Sequence, residues 1–541
     1  MANNGRNGTG RIYPHNRDAN FTGTILGDSI VLDSKYVEGI HDTEQFSIDI
    51  KTRRGHRNRI KEIYTFWEAN FSDYYAVGVR QLSAEDKSDP TRYHWKNQCD
   101  IVYEGLNAKF IKAFISTKTT KSNGKTMSYD HIRKYFDSVQ YGAKEAKVRL
   151  PVSFYSAKDT FLQSYKKKVA KAKSTGDTDE SEADPIPFSL FVLICAWSVG
   201  EGNMFLWAWT VLQWNLMGRS INVEPLCFHN LSVFADTIQI VYDSNKTDQG
   251  GDNVTTKHVY ANPVKPQICS YLALGIYLCL NALRYEKVEL IFRKVKNEKK
   301  KVASTGYCSQ LKELMKRKSN TVMNFIRLAH ANAHGWRKGS ATYATSGTTC
   351  PPSTPSVARR GEWSMGKVLD LYWHFAETGD YYLGRVVAGL DALLCTFKIL
   401  PPHFVLEDPM DNKFVCEAME MMYGPILTAW ANTPQDPTAL LLRLLASVVY
   451  HMTWVNEIAQ TRTDHPFNSI PIVSKPRLVE ELTKLISTEP SAIISEATGI
   501  PPHVEQSMKL YALLSVTTEC LSILKNQFTD IKQVCYQFII F

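Results

Sequence analysis

Apolar residues recur at helical spacing through much of the chain. Leu106, Phe110, Ile111, Phe114 and Ile115 form one stripe, and Ile132, Tyr135, Phe136 and Val139 form a second, with Ser128 placed to cap its helix. Phe161, Leu162 and Tyr165 precede a lysine run in Thr160–Lys173, so that segment predicts a helix with one basic side. Between Pro187 and Trp214 two apolar runs are interrupted by Gly200-Glu201-Gly202-Asn203. Each run is too short to span a bilayer, so the pattern predicts two buried helices and no membrane partner. A different period appears at Thr237–Tyr242, which is β-branched and aromatic. Turn residues at Asp248–Asp252 and a return at Thr255–Tyr260 complete a predicted hairpin, with Lys246 near its tip.

Breaks in the pattern divide the chain. Residues 1–55 predict a polar, disordered N-terminus and 56–174 a small helical domain. The acidic, small-residue stretch 175–185 predicts a solvated linker. Residues 186–400 predict a second, mainly helical domain containing the hairpin, and 401–541 a helical C-terminal region divided by prolines and of no assigned role. Within the second domain, Thr345–Arg360 is rich in Pro, Ser and Thr and predicts a loop. The expected fold class is therefore mainly α with a small β-hairpin or sheet, an α+β chain. Its 541 residues are too many for one core at about 150 residues per domain.

Composition adds a polyanion. The formal charge is +9, with basic residues clustered at 51–61, 166–173, 293–301 and 316–318. One such run is usually a solvated surface, but four favour nucleic acid as a partner. The eleven cysteines lack C-x-x-C pairs and zinc spacing, so they predict buried small apolar residues in a reducing compartment and no metal site.

The chemistry is concentrated in one ordered set. His334 and Arg337 stand three apart on a helix opening at Gly335, close enough to address one phosphate. Gly339, Ser340, Ala341 and Thr342 would let that helix pack closely. Arg219 lies upstream, between the apolar pair and the hairpin, and supplies a second guanidinium. Lys246 carries a flexible ammonium able to protonate a leaving oxygen. Trp363 offers an indole N–H, and Ser364 is placed to cap a helix on which Val368, Leu371, Tyr372 and Phe375 share a face. Tyr372 follows Trp363 by nine residues; Tyr381 and Tyr382 are its rivals but fall after an expected break at Gly379-Asp380. Taken singly, each of these residues has an ordinary structural reading as a surface charge or a core aromatic.

In order, Arg219, Lys246, His334, Arg337, Trp363 and Tyr372 resemble the signature of the tyrosine recombinases: Arg, hairpin Lys, His-x-x-Arg, His or Trp, and Tyr. The wording around them, HGWRKGSATYATSG, RRGEWSMGKVLDLYWHFAETGDYYLGR, KTDQGGD and HVYANP, is most similar to the Crypton-type recombinases of eukaryotic mobile elements, over about residues 105–395. The resemblance implies a helical core-binding domain up to 174 and a catalytic domain at 186–400, closing as a C-shaped clamp on double-stranded DNA. It implies that Arg219, Arg337, His334 and Trp363 hold the scissile phosphate and that Tyr372 forms a 3′-phosphotyrosyl link. Lys246 would then serve as general acid, and no metal, ATP or other cofactor is required. Lys166, Lys167, Lys168, Lys171, Lys173 and Lys338 become the expected DNA contacts. A homotetramer on paired sites, in the nucleus, is the expected assembly. A catalytically silent DNA-binding protein and a type IB topoisomerase-like enzyme are the alternative readings. The chain departs from the family where an acid often follows the first arginine by three residues: Asn222 stands there, with Glu224 two further on.

Overall fold

The computed structural model describes residues 24–26, 29–31, 50–71, 79–81, 99–101, 103–145, 148–178, 183–243, 255–285, 290–292, 303–366, 377–430, 433–434 and 436–539. Lys246, Tyr372, the turn at 248–252 and the basic run 293–301 lie outside these residues. The chain is mainly helical with small antiparallel sheets. It forms two compact units, Met1–Glu180 and Ser181–Phe541.

In the first unit, β1 (Thr24–Leu26) pairs with β2 (Ser29–Val31), and β3 (Val79–Gln81) with β4 (Cys99–Ile101). Four helices follow the apolar stripes: α1 (Ile50–Phe71), α2 (Ala108–Thr117), α3 (Tyr129–Glu145) and α4 (Val152–Ser174). Because α1 starts at Ile50, helix replaces the expected polar terminus over its last residues. Ile60, Ile63, Tyr64 and Trp67 give α1 a buried face, which anchors the basic turns before it. Asn107 caps α2, its Oδ1 accepting from the amides of Lys109 and Phe110. Ser128 lies at the start of α3 and accepts from the His131 amide at 3.4 Å. On α4, Phe154, Leu162, Tyr165 and Val169 enter the core, while Lys166, Lys167, Lys168, Lys171 and Lys173 are exposed.

The second unit opens with the predicted pair of buried helices, α5 (Phe188–Gly200) and α6 (Met204–Asn215). Asn203 at the break caps α6 by accepting from the Leu206 amide at 3.0 Å. After a single turn, α7 (Ser220–Val223), comes an antiparallel sheet of β5 (Leu231–Phe234), β6 (Thr237–Ile240) and β7 (Lys257–Val259). The predicted hairpin is β6–β7, with Ile238 opposite Val259, and β5 is an added edge strand. Then follow α8 (Ser270–Leu280), α9 (Ala303–Arg317), α10 (Gly335–Ser346), α11 (Thr354–Arg360) and α12 (Glu377–Val387).

Two expectations are corrected here. The Pro/Ser/Thr stretch is not largely loop: Ser353 caps α11 and Pro355 sits in its first turn, where a missing N–H costs nothing. Gly379-Asp380 is no break, since both lie within α12. Asp380 is buried against Arg360 and His258, and Tyr382 donates to the carbonyl of Cys350.

Residues 401–482 belong to the same core as the residues before them. The helices α13 (Lys413–Trp430), α14 (Thr438–Tyr450), α15 (Met452–Gln460) and α16 (Pro476–Thr483) share one apolar cluster with α5, α6 and α8. Gly275 lets α8 approach α14 closely, because a Cβ there would lie 3.2 Å from the Leu444 carbonyl oxygen. A short pairing of His403–Phe404 with Ile486–Ser487 follows, and the chain continues into α17 (Pro502–Ile539). Among the described residues, Cys195, Cys269 and Cys279 are buried as expected, whereas Cys308, Cys395 and Cys520 are exposed.

Candidate functional site

Arg219 is held by the end of α6. Met217 takes a left-handed backbone with φ 49°, turning the chain so that Arg219 resumes extended geometry and precedes α7. Gln213, fully buried, fixes this turn by donating from Nε2 to the carbonyls of Gly218 and Ala333, both at 3.2 Å. Trp209 orients Gln213 in turn, donating to its Oε1 at 3.1 Å. One glutamine thus ties the Arg219 loop to the loop that leads into His334.

Arg337 points into the protein from the first turn of α10. It donates to the carbonyls of Met217, at 3.4 Å, and Gly361, and its guanidinium lies 5.1 Å from the Trp363 ring centre. Burial, together with the nearby Arg219 charge, lowers the Arg337 pKa to about 10 against the pull of Glu362. The helix comes this close because Gly339 packs onto the Ile186 backbone; a Cβ there would overlap its carbonyl. Arg219 Nη1 is buried and has no partner among the described residues. Two guanidiniums from distant parts of the sequence therefore lie near enough for their charges to interact, and Arg219 retains a buried donor with no partner among the described residues.

A carboxylate lies behind them. Glu362 is also left-handed, with φ 54°, and this turn sends Trp363 back toward Arg337. Its two oxygens accept from Lys257 Nζ at 2.9 Å and Asn222 Nδ2 at 3.2 Å. Lys257 is 1% exposed and its Nζ lies 4.3 Å from the Tyr242 ring centre. Burial lowers its pKa, and Glu362 works against that shift. The carboxylate that Asn222 meets thus comes from position 362, while Glu224 is occupied elsewhere, accepting from Ser304 at 2.7 Å. Deeper still, Arg360 bridges Asp380, at 2.7 Å, to the carbonyls of Asn215 and His258. Burial alone would raise the Asp380 pKa, but Arg360 and His258 outweigh it and hold it below its ordinary value.

Of the other expected residues, Lys246 and Tyr372 lie outside the described residues, and His334, Trp363 and Lys338 reach the surface to different degrees. His334 is exposed where α10 begins and lines a cleft with Ser220, Cys308, Lys312 and Asn332. Trp363 is 38% exposed and Lys338 is half-buried. The fold thus gathers Arg219, Arg337 and Trp363, with His334 at the start of the Arg337 helix. Gln213, Lys257 and Glu362 are further members that the sequence reading did not name. The one available signal was a charged residue wedged between Gly361 and Trp363. Two neighbouring guanidiniums, one with an unpartnered donor, beside a part-exposed indole form a group of donors suited to an anionic oxygen such as that of a phosphodiester. No protein-family model and no curated protein matches this sequence.

Proposed function

We propose that the chain is a site-specific DNA recombinase or integrase of a mobile element, acting through a 3′-phosphotyrosyl intermediate. The observation that carries this reading is that the turn before Arg219 accepts a hydrogen bond from Arg337 through the Met217 carbonyl, which brings the two charges near one another, with a buried donor of Arg219 left without a partner among the described residues. Cleavage at phosphorus places growing negative charge on the non-bridging oxygens, and fixed cationic donors stabilise it most where water is excluded. Arg219 and Arg337 would bind those oxygens, and His334 and Trp363 would add further donors. Tyr372 would attack phosphorus and Lys246 would protonate the departing 5′ oxygen. The bond to tyrosine preserves the phosphodiester energy, so an incoming 5′ hydroxyl restores a DNA strand and frees the tyrosine with no external energy source.

The exposed lysines of α4 support a duplex partner, since backbone phosphates are bound mainly by such charges. A homotetramer on paired sites, in the nucleus, belongs to the same reading. The test is incubation with nicked suicide substrates made from the ends of the cognate element. A covalent protein–DNA adduct that survives denaturation and vanishes in Tyr372→Phe is the expected result. An adduct that persists in Tyr372→Phe rejects the nucleophile, and failure of the wild type on cognate ends favours a binding-only protein.

A further inference from the structure

The helix α17 leaves the buried core after Met508. Val504 and Met508 are buried with Tyr382, Val386 and Phe397, and Lys398 pairs with Glu505 at 2.7 Å. From Lys509 to Lys532 every residue is exposed. Among them Leu510, Tyr511, Leu513, Leu514, Val516, Leu521, Ile523, Leu524, Phe528 and Ile531 are 48–67% exposed, which is unusual for so many large apolar side chains in one element.

Their spacing identifies the partner. Leu510, Leu514, Leu521, Leu524, Phe528 and Ile531, with Thr517, advance in alternating steps of four and three residues, with Tyr511, Leu513, Val516 and Ile523 off that line, and the sequence repeats those steps to Cys535 and Phe538. The mean period is 3.5, and a stripe of that period stays on one line only when the helix supercoils about another. No single helix among the described residues is long and apolar enough to cross a membrane, and Glu519, Lys525, Asp530 and Lys532 interrupt this one.

We propose that α17 forms a parallel coiled coil with the same helix of a second copy of this chain. In heptad terms Leu514, Leu521 and Phe528 take the a positions, and Leu510, Thr517, Leu524 and Ile531 the d positions. Charge sets the direction. Lys525 and Lys532 occupy e positions, whereas the g positions Leu513, Cys520 and Gln527 are neutral. A parallel pair sets each e against a neutral g′; an antiparallel pair sets e against e′ and brings lysines together. The proposal is independent of the recombinase reading, because it concerns the protein without DNA.

The test is the mass of the full chain in solution, measured by light scattering over a micromolar concentration range. The expected mass is twice 61.4 kDa. The double substitution Leu521→Asp with Leu524→Asp is expected to return it to the single-chain value with helical circular dichroism retained, since both side chains are already in solvent. A wild type that stays at the single-chain mass overturns the proposal, as does a doubled mass that survives both substitutions. A monomer that floats with neutral lipid vesicles overturns it in favour of a membrane surface. For direction, Leu514→Cys in a Cys520→Ser background is expected to gain an interchain disulfide on mild oxidation beyond that of its parent. No gain overturns the parallel arrangement.

Discussion

Asn222 donates to one oxygen of Glu362 while Lys257 holds the other, so one carboxylate joins the turn after Arg219, the strand β7 and the loop carrying Trp363. Removing one member of such a buried pair strands the other charge. Glu362→Gln and Lys257→Met are each expected to lower stability by about 3–5 kcal/mol, and the double substitution to cost less than their sum. Chemical denaturation of the four proteins measures the coupling; simple additivity would show that the pair does not act as a unit.

The position of that carboxylate is open to exchange. Because Asn222 already touches Glu362, the pair Asn222→Asp with Glu362→Gln moves the negative charge by one hydrogen bond. It is expected to recover at least part of the covalent adduct lost in Glu362→Gln alone. An adduct no higher in the double variant would show that the charge must come from position 362.

Trp363 contributes both a ring face and an N–H. Trp363→Phe retains the stacking on Arg337 and is expected to bind DNA within a few-fold of wild type while cleaving about 10-fold or more slowly. Trp363→Ala is expected to lose both. Equal cleavage rates for Phe and Trp would rule out a role for the indole N–H.

His451 gives a pH dependence of known sign. It is buried, and desolvation lowers its pKa from 6.5 to about 4, so the folded chain keeps it neutral where the unfolded chain takes up a proton. Stability is complete above pH 6.5 and falls as pH drops toward 4, by about 2 kcal/mol at pH 5 at about 1.4 kcal/mol per unit. His451→Gln is expected to flatten this part of the profile. Urea midpoints at pH 7 and pH 5 provide the check, and an unchanged slope in the variant would assign the effect to other histidines.

DNA affinity is expected to fall steeply with salt. Each α4 lysine that meets a phosphate adds roughly one unit to the slope of log affinity against log salt. Replacing Lys167 and Lys171 with alanine is therefore expected to reduce the slope by up to about two units; no reduction would exclude these lysines from the interface.

The local part of this architecture was legible in the sequence. Phe110, Ile111, Phe114 and Ile115 all face inward as their spacing required, and the β6–β7 hairpin pairs as its composition suggested. What escaped was long-range. The pairing of Lys257 with Glu362 joins residues 105 apart, and that of His258 with Asp380 spans 122, with no periodic trace of either. Residues 401–541 read as helical and divided by prolines, but nothing in them named the neighbour they would cover, so the place of α13 and α14 in the core of the second unit was invisible. Proline content concealed α11, because Pro355 in a first turn is compatible with a helix.

Met217 and Glu362 both adopt backbones that most residues avoid, and each stands within two positions of a residue of the candidate site. Such conformations cost on the order of 1–3 kcal/mol each. That energy is spent once, when the chain folds, and not again each time a ligand arrives. The arrangement around Arg337 is consequently set before any ligand arrives, and under the proposed function a phosphate would meet Arg219 with a donor already held in place. Easing either turn with glycine would therefore make a sturdier protein with a slacker grip, a trade measurable as a higher melting temperature beside weaker retention of the bound anion.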